Sequence, residues 1–76
     1  MRYAIVIERA EGNFSAYVPD LPGCAVVGQS RREVQANIPK AIRIYIDDMI
    51  ADGEFIPVPA TSVIWMARPA RKARAR

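Results

Sequence analysis

Residues 14–34 read FSAYVPDLPGCAVVGQSRREV, and the order of signals along this stretch sets the fold. Phe14, Ala16 and Val18 alternate with Ser15 and Tyr17, the period of two that a strand with one apolar face requires. Pro19-Asp20-Leu21-Pro22-Gly23 then breaks the run. Pro22 and Gly23 suit the two central positions of a type II turn, because proline presets a negative φ and glycine accepts a positive one. Cys24 to Gln29 resumes as a short strand, in which Gly28 marks a bulge or a close backbone approach. Ser30-Arg31-Arg32-Glu33 has the spacing of a capping box. The Ser30 hydroxyl accepts from the Glu33 N–H, and the Glu33 carboxylate reaches back.

Upstream, Arg2 to Glu8 reads as a strand with two apolar faces, Tyr3, Ile5 and Ile7 on one and Ala4 and Val6 on the other. Such a strand is expected at the centre of a sheet with cover on both sides. Ala10-Glu11-Gly12-Asn13 carries hairpin-turn chemistry, so the first two strands form a hairpin and the third completes an antiparallel meander. Downstream, Val34, Ile38, Ala41, Ile42, Tyr45, Ile46, Met49 and Ile50 give a helical stripe that ends at Gly53, a good residue past a helix C-cap. Pro39 predicts either a kink or a short first turn followed by a second helix near Asn37. Pro57 and Pro59 exclude further helix. Thr61 to Ala67 reads as a fourth strand, with Val63 and Trp65 on one face and Ile64 and Met66 on the other. A strand reached through a helix usually returns parallel to an earlier one. The expected fold is therefore α+β, β-β-β-α-β, a four-stranded mixed sheet of order 3-2-1-4 with one helix packed on it.

Composition bounds the chemistry. The 76 residues are 51% hydrophobic and 25% charged, the balance of one small globular domain. A single cysteine cannot form an internal disulfide, and with no histidine neither a structural zinc site nor a Ser-His or Cys-His pair is expected. A core of this size is marginal alone, which points to a homo-oligomer, dimer or tetramer, or to pairing with another chain. The apolar run Ala4–Ile7 is too short for a membrane span or a signal peptide, so no membrane association and a cytoplasmic location are expected. The net charge of +3 divides unevenly. Residues 1–67 carry six Lys and Arg against eight Asp and Glu, a net −2, whereas Arg68, Arg71, Lys72, Arg74 and Arg76 bring +5 with no acid. Residues 1–67 are thus read as the folded domain, and 68–76 as a solvated, disordered basic tail.

Candidate sites are few. Glu8, Asp20, Asp47, Asp48, Asp52 and Glu54 do not have the spacing of a metal-nuclease set; Asp47 and Asp48, for example, diverge by about 100° on a helix. They read as solvated acids, and no catalytic, metal or cofactor site is expected. Cys24 lacks an activating partner and reads as a small buried residue. Tyr3, Tyr45 and Trp65 fit core or interface packing better than base stacking. The helical stripe is wider than one sheet contact needs, and the fourth strand is apolar on both faces. Tyr17, Ile46, Ile50 and Trp65 are accordingly the candidate protein interface. Arg68, Arg71, Lys72, Arg74 and Arg76 are candidate nucleic-acid contacts through counterion release, a reading tested by whether deleting the tail abolishes a salt-dependent gel shift.

Several strings then converge. Tyr17-Val18-Pro19-Asp20-Leu21-Pro22-Gly23-Cys24, Gly28, Ser30-Arg31-Arg32-Glu33-Val34, Asn37-Ile38, Ala41-Ile42 and Asp52-Gly53-Glu54 followed by Ile56-Pro57 and Pro59 together resemble the N-terminal domain of HicB-type antitoxins. The resemblance covers roughly residues 2–67, with Pro19 to Cys24 its most specific part. It implies a partial ribonuclease-H-like fold, often dimeric or higher, that neutralises a small HicA-type mRNA-cleaving toxin by direct contact. Many members add a DNA-binding module, and here only the basic tail stands in that place. Pro39 occupies a position where a helix former is usual. The resemblance brings no nuclease activity, since the acids for it are missing. The function expected is that of a non-catalytic antitoxin-like binding module for a small basic RNase toxin. The alternative is an orphan oligomeric HicB-like protein that binds nucleic acid through its tail.

Overall fold

Glu11 and Gly12 turn the chain between β1 (Val6–Ala10) and β2 (Asn13–Tyr17) in the computed structural model, which describes residues 2–67. Gly12 adopts φ +82°, a left-handed conformation that a Cβ would oppose. A seven-residue loop then leads to β3 (Ala25–Gly28), and α1 (Arg31–Ala51) follows. The sheet is antiparallel throughout, in the order β1-β2-β3. Its register sorts the side chains. Ile7, Ala16 and Val26 stand abreast on the face that meets α1, and Val6, Tyr17 and Ala25 on the other.

The core is small and lies off-centre. Ala16, Val18, Leu21, Cys24, Val34 and Ile38 are buried, with Tyr3, Ile7, Phe14, Val26, Ala41, Ile42 and Tyr45 packed around them. Three of the six come from the loop between β2 and β3, and two from the first half of α1. Each buried aliphatic side chain contributes about 1.5–3 kcal/mol, so the loop matters as much to the core as any strand.

The helix begins at Ser30, whose Oγ accepts from the Glu33 N–H at 3.1 Å. The Glu33 carboxylate reaches one residue further back than a capping box requires and accepts from the Gln29 N–H at 2.8 Å. Gly28 permits this, since a Cβ there would lie 3.0–3.1 Å from the Glu33 side chain. Neither a second helix nor an interruption occurs at Pro39, which lies inside one 21-residue helix. The missing proline N–H leaves the Gln35 carbonyl without its helical donor. Gln35 is exposed, so water can serve that carbonyl. Gly53, at φ +72°, ends the helix by donating to the Ile50 carbonyl.

The four-stranded mixed sheet of order 3-2-1-4 does not form. Thr61 to Ala67 is extended but joins no ladder, and β1 keeps a free edge among the described residues. The start of the segment is held elsewhere. The N–H groups of Ala60 and Thr61 are bound to the Asp20 carboxylate, and Pro57 and Pro59 have none to give. A cavity of about 370 Å³ is lined by Ile5, Val6 and Ile7 together with Arg31, Val63 and Trp65. The ladder of β1 also starts at Val6 rather than at Arg2. The side chain of Tyr3 is committed elsewhere, donating to the Pro57 carbonyl.

Candidate partner-binding surface

The loop from Val18 to Cys24 is knotted by its own backbone. Leu21 N–H donates to the Val18 carbonyl at 3.0 Å, Cys24 N–H to the Leu21 carbonyl at 3.0 Å, and Val18 N–H to the Cys24 carbonyl at 3.1 Å. Pro22 and Gly23 occupy the centre of the second turn, with Gly23 at φ +83° as a type II turn demands. These turns push Leu21 inward and leave Asp20 facing the returning C-terminal segment. The Asp20 carboxylate accepts three hydrogen bonds, from Ala60 N–H at 3.2 Å, Thr61 N–H at 3.1 Å and the Thr61 hydroxyl at 2.9 Å. The Thr61 backbone bond, helped by its hydroxyl and by Ala60, holds the carboxyl below the usual aspartate range, although partial desolvation opposes it. Tyr45 adds a tie from the helix by donating to the Pro22 carbonyl at 2.8 Å.

Downstream of that clasp the chain exposes apolar groups in series. Val63, Ile64, Trp65 and Met66 are 57%, 78%, 92% and 84% exposed. A contiguous run of this kind is unusual on the surface of a small soluble domain and marks a place where another molecule fits. Val63 and Trp65 turn toward the cavity beside β1, and Val6 on that cavity neighbours Tyr17 across the sheet. The surface is therefore continuous from the C-terminal segment past β1 to the outer sheet face, where Val27 is also exposed. It offers apolar area and a free strand edge. Among the described residues no group of three or more His, Cys, Asp or Glu could hold a metal ion.

The pattern for the HicB_like antitoxins of bacterial toxin–antitoxin systems matches residues 3–74. The chain belongs to that family. Among its relatives, a UPF0150 protein of Thermoplasma acidophilum is 40% identical over 58 residues, which is 75% of this chain and 84% of the relative. A UPF0150 protein of Archaeoglobus fulgidus is 39% identical over 66 residues, 83% and 96% of the two chains. In three dimensions the chain is similar to one from the HicA3 and HicB3 toxin–antitoxin complex, with a TM-score of 0.67 and 27% identity. That match covers 79% of this chain and 70% of the other. An antitoxin role in a toxin–antitoxin system is thereby supported.

In this HicB-like antitoxin the residues singled out from sequence fall in separate places. Trp65 stands almost free beside β1, and Tyr17 lies on the outer sheet face, 37% exposed. Ile50 is 60% exposed on α1, whereas Ile46 is half-buried. Tyr17 and Trp65 thus flank one surface, and the two helix residues belong to another. Cys24 is buried, and burial pushes its thiol pKa up, away from the thiolate that nucleophilic chemistry needs. Arg68, Arg71, Lys72, Arg74 and Arg76 lie outside the described residues. The sequence reading missed the clasp between Asp20 and Thr61. Nothing local announces it, because its partners stand 41 positions apart. No helix among the described residues is long and apolar enough to cross a membrane.

Proposed function

We propose that this chain is a non-catalytic cytoplasmic antitoxin module that self-associates and sequesters a small, basic, mRNA-cleaving toxin of the HicA type. The observation that carries this reading is the exposed apolar run Val63 to Met66, clasped at its start by Asp20 and set beside the free edge of β1. A partner that covers the run gains apolar burial at about 25 cal/mol per Å². The free edge can add main-chain hydrogen bonds. The net −2 of residues 1–67 steers a basic partner toward the folded part. Similarity to a chain from a toxin–antitoxin complex supports the same reading.

Growth rescue is the test. A HicA-type toxin from the genome that encodes this chain is expressed alone and together with it. Co-expression should restore growth and lengthen mRNA half-lives. If growth arrest persists while both proteins accumulate in soluble form, the reading is wrong.

A further inference from the structure

We propose that Asp20 is the positioning residue of the apolar surface: its carboxylate fixes the start of residues 61–67, so that Val63 and Trp65 meet a partner already in place by β1. The inference rests on the antitoxin reading above and names the residue that readies its binding segment. The turns from Val18 to Cys24 are closed without the Asp20 carboxylate, by backbone bonds among Val18, Leu21 and Cys24. Tyr45 ties the same loop to α1 through the Pro22 carbonyl. The three bonds that the carboxylate accepts come instead from Ala60 and Thr61. Its effect therefore falls on the segment that follows them.

That segment has little else to hold it. Ile56, Pro57 and Pro59 are half-buried, but every residue from Ala60 to Ala67 is exposed, and 61–67 joins no ladder. Val63 and Trp65 nonetheless line one cavity with Ile5, Val6 and Ile7. Upstream of the clasp the chain is tied at Pro57, whose carbonyl accepts from the Tyr3 hydroxyl. Chain reach sets the consequence. Trp65 lies four residues beyond Thr61 and eight beyond Pro57, spans of at most about 14 Å and about 28 Å when extended. Opening the clasp thus doubles the tether on which Trp65 hangs. The local concentration of a tethered group falls with about the −3/2 power of tether length, here roughly threefold. A partner that needs Val63 and Trp65 in place loses affinity by that factor, because ordering the segment then falls to the binding step. A purely structural clasp would act on the core instead.

Backbone nitrogen-15 relaxation of the full chain, and its calorimetric titration with a catalytically inactive HicA-type toxin, test this on Asp20→Asn, Thr61→Val and Thr61→Ser. In the wild type the amides of residues 62–66 should be ordered, with order parameters of about 0.85, and in Asp20→Asn they should fall below about 0.6. The toxin should bind Asp20→Asn roughly threefold more weakly, while slow hydrogen exchange at Val34 and Ile38 shows an intact core. Thr61→Val removes only the hydroxyl donor and should move both readouts the same way by less, which keeps the test decisive if Asp20→Asn fails to fold. Thr61→Ser keeps the hydroxyl and should match the wild type. A segment as mobile in the wild type as in Asp20→Asn overturns the inference. So does a segment released in the variant with undiminished affinity, or an affinity lost only together with protection of the core. The relaxation measurement needs no toxin. A wild-type chain that binds no toxin, yet whose segment is ordered and then released as stated, therefore refutes the antitoxin reading and upholds the hold of Asp20 on the segment.

Discussion

Asp20 joins the two ends of the fold through three hydrogen bonds to residues some forty positions away. Its pKa is depressed in the folded chain, chiefly by the Thr61 backbone N–H. The bonds favouring the carboxylate therefore act in full above the ordinary aspartate range and are lost as pH falls through the lower, folded value. Followed by nuclear magnetic resonance, the Thr61 amide shift should titrate below the usual aspartate range. Asp20→Asn should speed hydrogen exchange at Ala60 and Thr61 and leave Val34 and Ile38 protected. Titration at the ordinary value, or unchanged exchange in the variant, would remove the clasp from the account. Leu21, in the same loop, is fully buried. Leu21→Ala should cost about 2–5 kcal/mol in urea denaturation, a large share of what so small a domain possesses. A loss well under 1 kcal/mol would show that the loop is not part of the core.

At the scale of elements, helix α1 and the segment after it show what local patterns do and do not reveal. The meander and the helix were legible because their signals are local: alternation from Phe14 to Val18, Pro22-Gly23 at a turn, and Ser30 at a cap. Pro39 was legible as a residue, but the second helix near Asn37 that it suggested as one outcome does not form, since an exposed carbonyl at Gln35 can turn to water and spare the helix an interruption. The proline still removes one hydrogen bond. Pro39→Ala should therefore raise stability by about 1–3 kcal/mol, read as a higher thermal midpoint, and a lower midpoint would contradict that. Thr61 to Ala67 has the alternation of a strand, yet alternation is silent on where backbone donors go. Here the donor of Thr61, with that of Ala60 just before it, goes to a carboxylate in a distant turn. For the same reason the candidate site was only half legible. Trp65 and Tyr17 could be picked out as apolar, but their arrangement about β1 depends on the clasp.

For the whole molecule, one small core supports a surface with two distinct exposed regions. Val63 to Met66, with the edge of β1, forms an apolar surface, and the face of α1 opposite Val34 and Ile38 exposes Arg32, Lys40, Arg43 and Asp47. We propose partner capture for the first of these regions. The central claim is that Trp65 and its neighbours receive the toxin, and calorimetric titration tests it most directly. A catalytically inactive HicA-type toxin is titrated into the full chain and into Trp65→Ser, a change that removes no buried contact from a residue 92% exposed. Saturable binding by the wild type, weakened at least about tenfold (about 1.4 kcal/mol) in the variant, is the predicted result. No binding by the wild type, or equal affinity in both, would contradict it.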